Sequence, residues 1–148
     1  MDIRIVAILV WEGKAFVPTQ ARYHNNGPFT GVAPIYEVKP EPIELLLVVQ
    51  SILSKKPAVL ATPTKDEIKE RNDLLPKKTK ALSWKRIYQT GIYYIIELSK
   101  KGYVLEMSQS QNKGHWEMDP AKRLLFNRQT DLSVIIQAIL NDIEKRSK

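Results

Sequence analysis

The chain repeats itself, and the repeat restricts what it can fold into more than any other feature. Shifted by 87 positions, residues 4–17 lie over residues 91–104 without a gap. Ile5 meets Ile92, Ile8 meets Ile95, Lys14 meets Lys101 and Val17 meets Val104, with Phe16 opposite Tyr103. The same shift lays residues 44–53 on residues 131–140, where Leu45, Gln50, Ile52 and Leu53 match Leu132, Gln137, Ile139 and Leu140. One offset that serves two separate segments points to a duplicated unit, strand-rich at its start and helical at its end.

The second copy is the easier to read. Residues 92–98 and 103–108 are rich in β-branched and aromatic side chains and flank Ser99-Lys100-Lys101-Gly102, a hairpin turn with glycine where positive φ is needed. Pairing Leu98 with Tyr103 puts Tyr94, Ile96, Leu98, Tyr103, Leu105 and Met107 on one apolar face. The opposite face, with Tyr93, Ile95, Glu97, Val104, Glu106 and Ser108, is mixed and suits solvent or a partner. Further strands are expected at residues 115–118 and 123–126, and a helix over 131–146 whose Leu132, Ile135, Ile136, Ile139, Leu140 and Ile143 form one stripe. The first copy predicts strands at 3–10, 14–20 and 33–38, a turn at His24-Asn25-Asn26-Gly27, and a helix from Pro42 to about Ser54. Its first strand is apolar on both faces, which predicts burial from two sides, between the units or between subunits. Short helices are expected at 65–73 and 83–90, the latter stopped by Gly91.

The fold expected is therefore α+β: two tandem ββββα units, with antiparallel sheets each crossed by a terminal helix. At 148 residues and 43% apolar the chain suits a single domain. Unit one covers 3–56, a basic linker 57–83, and unit two 84–146. No cysteine is present, which excludes disulfides, thiolate metal sites and a cysteine nucleophile. No apolar run is long enough to span a bilayer, and residues 3–11 lack the marks of a signal peptide, so a cytoplasmic location is expected.

Charge is unevenly spread within a net +7. Residues 55–86 hold ten cations against four acids, and no acid occurs between Asp73 and Glu97. Lys77, Lys78, Lys80, Lys85 and Arg86 fall in that window, interleaved with Trp84, Tyr88, Tyr93 and Tyr94. Cations that track phosphates and rings that stack on bases together hold single-stranded nucleic acid. Lys85 and Arg86 would also sit in the first turn of a helix, where the dipole disfavours cations and an anionic partner would relieve the cost. The bland reading is a solvated linker beside core aromatics. Catalysis finds little support: His24 and His115 each lack a placed partner, Glu97 and Glu106 are a diagonal strand pair of an ordinary kind, and no phosphate loop or nucleophile elbow occurs. No metal site or cofactor is expected.

Lys101-Gly102-Tyr103-Val104-Leu105, Trp116, Asp119-Pro120, Lys122-Arg123 and the closing helix occur in an order that resembles the Whirly family and the related single-strand-binding transcriptional coactivators. The resemblance covers residues 92–146 and reaches 3–54 through the repeat. It implies a non-catalytic, oligomeric single-stranded DNA or RNA binding protein. The family's Lys-Gly-Lys-Ala-Ala-Leu segment is not matched, since Lys77-Lys78-Thr79-Lys80-Ala81-Leu82 lacks the glycine and lies between the repeats. The binding residues expected are thus Lys77, Lys78, Lys80, Trp84, Lys85, Arg86, Tyr88, Tyr93, Lys101 and Trp116. The alternative is a protein-interaction or regulatory module whose basic segment meets an acidic protein.

Overall fold

A computed structural model describes residues 2–110 and 112–147; Met1, Gln111 and Lys148 lie outside the described residues. The elements run β1 (Arg4–Trp11), β2 (Lys14–Tyr23), β3 (Phe29–Val38), α1 (Pro42–Leu53), β4 (Ala58–Leu60), α2 (Lys65–Thr79), α3 (Trp84–Thr90), β5 (Ile92–Ser99), β6 (Gly102–Met107), β7 (Leu124–Phe126) and α4 (Leu132–Arg146), with a 3-10 turn at Pro120–Lys122. The strands form one seven-stranded sheet in the order β3-β2-β1-β5-β6-β7, antiparallel along that path, while β4 pairs parallel with β2.

The α+β class holds, but the units share one sheet rather than owning one each. Each contributes three strands to the path, not four. The strand expected at 115–118 is a loop tied by a single bridge between Ser108 and Met118. Its polar groups close on themselves: the Asn112 side chain donates to the Gln109 carbonyl and accepts from the Glu117 amide, both at 3.0 Å. An Asx side chain that captures nearby backbone competes with a ladder in this way.

β1 and β5 lie side by side at the centre, paired from Arg4↔Leu98 to Val10↔Ile92. β1 is apolar on both faces because both are covered within this chain. Val6, Ile8 and Val10 lie under α1 and α4, together with Tyr94, Ile96, Leu105 and Met107, while Leu9 and Trp11 join Phe16, Leu75 and Ile87 on the side of α2 and α3. Its composition needs no second subunit.

The two hairpins correspond in geometry, at a shifted register. Leu9↔Phe16 and Val10↔Ala15 correspond to Glu97↔Val104 and Leu98↔Tyr103, a separation of 88. At that separation Val6, Ile8 and Val10 fall on Tyr94, Ile96 and Leu98, all facing α1 and α4. An offset of 87 would place buried Ile8 on Ile95, which faces the opposite side, and a slip of one residue flips every side chain of a strand. The helices do keep 87, since Val48 and Val49 of α1 answer Ile135 and Ile136 of α4. One residue is therefore lost between hairpin and helix in the second copy.

Local sequence explains the ends of elements. Glu12 and Gly13 take φ of 52° and 73°, giving β1–β2 a two-residue turn of the primed kind that matches strand twist. Gly102 has φ +123°, and a Cβ there would meet the Phe126 carbonyl oxygen, so glycine is required twice over. Gly91 is different. It is extended, at φ −79° and ψ 157°, and serves by close approach, because a Cβ would fall 2.5 Å from the Ile87 carbonyl oxygen. α2 starts in a capping box between Thr64 and Glu67 and runs to Thr79, well past the residue 73 expected from sequence, because its interior Pro76 is accommodated.

Asp142 of α4, 6% exposed, fastens the helix to the sheet. It accepts from the Tyr94 hydroxyl at 2.6 Å, Lys122 at 2.8 Å and Arg146 at 2.7 Å. Burial opposes its charge, yet the bonds from Lys122, Tyr94 and Arg146 outweigh burial and hold the carboxyl below the usual range. Ile139→Ala, in the stripe beside it, should cost roughly 2–4 kcal/mol in urea unfolding, as truncation of a fully buried branched side chain does. Asp142→Asn should cost roughly 3 kcal/mol at pH 7, the low end for a buried pair because Lys122 is partly in water. A depressed pKa stabilises above the unfolded value of about 4 and the benefit is lost as pH falls through the folded one, so the gap in urea midpoint between wild type and Asp142→Asn should be full above about pH 5 and narrow steadily as the pH is lowered below about 4.

Candidate functional site

Pro76 organises the region in which the expected binding residues lie. It has no N–H, so the carbonyl of Asn72, four residues earlier, loses its helical donor. The indole Nε1 of Trp84 takes that place and donates to the Asn72 oxygen at 2.5 Å. The bond ties α3 back onto α2 across the intervening loop. From Trp84 a chain of rings continues: Tyr88 stacks on it at 5.4 Å, Trp116 meets Tyr88 edge to face at 4.9 Å, and Tyr93 stacks on Trp116 at 4.9 Å with the planes 5° apart. Burial pushes the Tyr88 phenol up. Tyr93 is pushed up to about 12, by burial first and then by Tyr88.

The loop from α2 to α3 is built to project. Thr79 is buried, donating through Oγ1 to the Leu75 carbonyl at 2.7 Å and accepting from the Ala81 amide at 3.2 Å. Ala81 is fully buried, and its two neighbours turn outward with left-handed backbone, Lys80 at φ 64° and Leu82 at φ 71°. Such backbone in a leucine costs on the order of 1–2 kcal/mol. The strain holds Leu82 83% exposed. Lys77, Lys78 and Lys80 at the end of α2 and Lys85 and Arg86 in the first turn of α3 are all exposed. None of these five makes an ion pair among the described residues.

The structure thus gathers Lys77, Lys78, Lys80, Lys85 and Arg86 on one projecting segment, and joins Trp84, Tyr88, Tyr93 and Trp116 into one aromatic chain beside it. Lys101 stands apart, in the β5–β6 turn at the far end of β5, about 20 Å of strand from the aromatic chain. Leu82 went unnoticed in the sequence because positive φ in a leucine has no local signature. Glu106 is engaged by Arg123 at 3.6 Å, and His24 and His115 lie on the surface near Thr62 and Glu117. Among the described residues no cluster of three metal-ligating side chains occurs, and no helix is long and apolar enough to cross a membrane.

A second feature lies behind Trp84. β1 and β2 pair only over Leu9↔Phe16, Val10↔Ala15 and Trp11↔Lys14, then separate just before Pro18, which has no N–H to give a ladder. The seam and the underside of α2 enclose a cleft of about 390 Å³ with Ile5, Ala7 and Gln20 in its floor and Arg71, Trp84 and Tyr93 in its walls.

No family model matches this chain, and no curated protein matches it in sequence. Two solved structures resemble it in fold. A protein of unknown function from Neisseria meningitidis superposes with a TM-score of 0.67 at 13% identity, covering 93% of this chain and 91% of that one. A CdiA-CT/CdiI toxin and immunity complex from Yersinia pseudotuberculosis contains a chain that does so with a TM-score of 0.67 at 9% identity, covering 93% of this chain and 94% of its own. At these identities the likeness establishes the fold.

Trp84→Phe removes the indole donor and leaves the exposed Asn72 carbonyl to water, so it should cost about 0.5–1.5 kcal/mol in stability. Placed in a Pro76→Ala background the same change should cost less, because the restored amide takes the Asn72 oxygen. A double-mutant cycle by urea unfolding reads the difference as a coupling energy.

Proposed function

We propose that this protein is a binding module that docks an acidic protein partner through the loop between α2 and α3. The observation that carries the reading is Leu82. An apolar side chain is held in water by strained backbone, and the cations Lys80, Lys85 and Arg86 flank it in the chain with no acid of their own. Strained backbone concentrates at functional positions, and an apolar anchor ringed by charge is the anatomy of a docking hot spot. Long-range attraction between the basic segment and an acidic surface would speed encounter, while Leu82 would supply the buried contact. The fold likeness adds support, because one of the similar structures comes from an assembly of two proteins, a toxin and its immunity protein.

Single-stranded nucleic acid is the rival reading, supported by the same cations and by the net +7. It asks for rings laid out on an open surface, and here Tyr88 and Trp116 are packed between Trp84 and Tyr93, which line the cleft beneath α2.

The two readings part on a neutral substitution. Wild-type protein, immobilised and exposed to nuclease-treated extract, should retain a discrete acidic protein. Leu82→Ser, which leaves every charge in place, should weaken that retention about tenfold or more, as should Lys85→Ala combined with Arg86→Ala. A polyanion reads charge alone. If a single-stranded oligonucleotide of about 30 residues binds tightly, loses affinity only in the double charge variant and ignores Leu82→Ser, the nucleic-acid reading replaces this one.

A further inference from the structure

The cleft beneath α2 carries an inference separate from the docking loop. Gln20 lies in its floor at 8% exposure, and its carboxamide makes no hydrogen bond among the described residues. The carboxamide is not sealed in the core, since Arg4 Nε is the one fully buried side-chain polar atom left without a partner among the described residues, so Gln20 keeps its donor and acceptor free for an occupant of the cleft. The space around it is ready-made for a flat molecule. Trp84 and Tyr93 line the walls, each with one face already taken by a neighbouring ring, Tyr88 and Trp116 respectively. Ile5, Ala7 and Ile95 add apolar lining, and among the described residues Arg71 is the only charged one there. Arg71 is itself fixed, donating to the Tyr23 hydroxyl and pairing with Glu67 at 3.4 Å. At about 390 Å³ the cleft lies within the range of small-molecule sites.

We infer that this cleft binds a planar nitrogen heterocycle of nucleobase size, held edge-on by the Gln20 carboxamide and bordered by Trp84 and Tyr93. The carboxamide offers a donor beside an acceptor, and a heterocycle with the complementary edge satisfies both at once, as glutamine does with adenine. A cationic ligand is disfavoured by Arg71, and a purely aliphatic one would leave Gln20 unpaired. The site opens because Pro18 ends the ladder between β1 and β2 and because Trp84 props α2 over the gap, so it belongs to the fold and does not depend on the reading given to Leu82.

Adenine, cytosine and indole, titrated separately into the full-length protein by calorimetry and tryptophan fluorescence, test the assignment. Adenine or cytosine should bind saturably with one site per chain, and indole, which matches the rings but lacks the paired edge, should bind about tenfold more weakly or worse. Gln20→Leu keeps the volume and removes the amide; it should abolish the preference for the bases while holding or raising the thermal midpoint. Ala7→Leu, which fills the floor, should block all three. Equal binding of indole and adenine to wild type overturns the inference, as does the absence of saturable binding of either base at millimolar concentration. A base preference that survives Gln20→Leu also overturns it. Because the wild-type comparison needs no variant, the result stands even if a substitution impairs folding.

Discussion

The antiparallel pairing of β1 with β5 holds the molecule together. Two hairpins, each too small to bury its own apolar face, become one sheet when their first strands meet. That junction makes β1 the centre of the sheet and accounts for its apolarity on both faces. It also brings α1 and α4 side by side over a common core in which Val48, Val49, Ile135, Ile136 and Ile139 meet Val6, Ile8, Tyr94 and Ile96. Asp142 then locks α4 to the sheet through a hydrogen-bonded ionic cluster, the most polar element of an otherwise apolar contact.

The segment between the two units does a different job. It closes the second face of the sheet with α2 and α3, but incompletely, because two prolines interrupt regular hydrogen bonding. Pro76 frees a helical carbonyl that Trp84 occupies, and Pro18 ends the ladder between β1 and β2. The first fixes the angle at which α3 returns, and so where the loop carrying Lys80, Leu82 and Lys85 projects. The second leaves the seam beneath α2. Both candidate surfaces, the loop and the cleft, thus arise where a proline withholds one N–H from an otherwise saturated backbone.

The electrostatics follow the same division. Several acids and bases within the two units pair with one another, as in Lys14 with Glu37, Arg123 with Glu106 and Asp142 with Lys122 and Arg146. The cations of the connecting loop pair with nothing among the described residues. An uncompensated basic segment directs an anionic partner to one place, and the rings beside it are packed on one another and around the cleft instead of forming an open platform for a strand of bases.

The sequence alone determined the elements that depend on periodicity and on local turn chemistry. The stripe in α4, the apolar face of the β5–β6 hairpin and its glycine turn at Gly102 were all legible, because each is written in neighbouring residues. It also marked the basic window that became the projecting loop. Register was not legible: over residues 4–17 an 87-residue offset gives four identities and an 88-residue offset only Ile8 with Ile96, yet the packing of Val6, Ile8 and Val10 with Tyr94, Ile96 and Leu98 chooses the face and with it the offset of 88. Nor was it legible that the units share one sheet, that residues 115–118 forgo a strand for the bonds of Asn112, or that α2 continues through Pro76. Leu82, Gln20 and the Asn72–Trp84 bond were decided by tertiary structure for one reason. Each depends on a partner, or on the lack of one, contributed by chain far away in sequence, and local propensity carries no information about what lies across the fold.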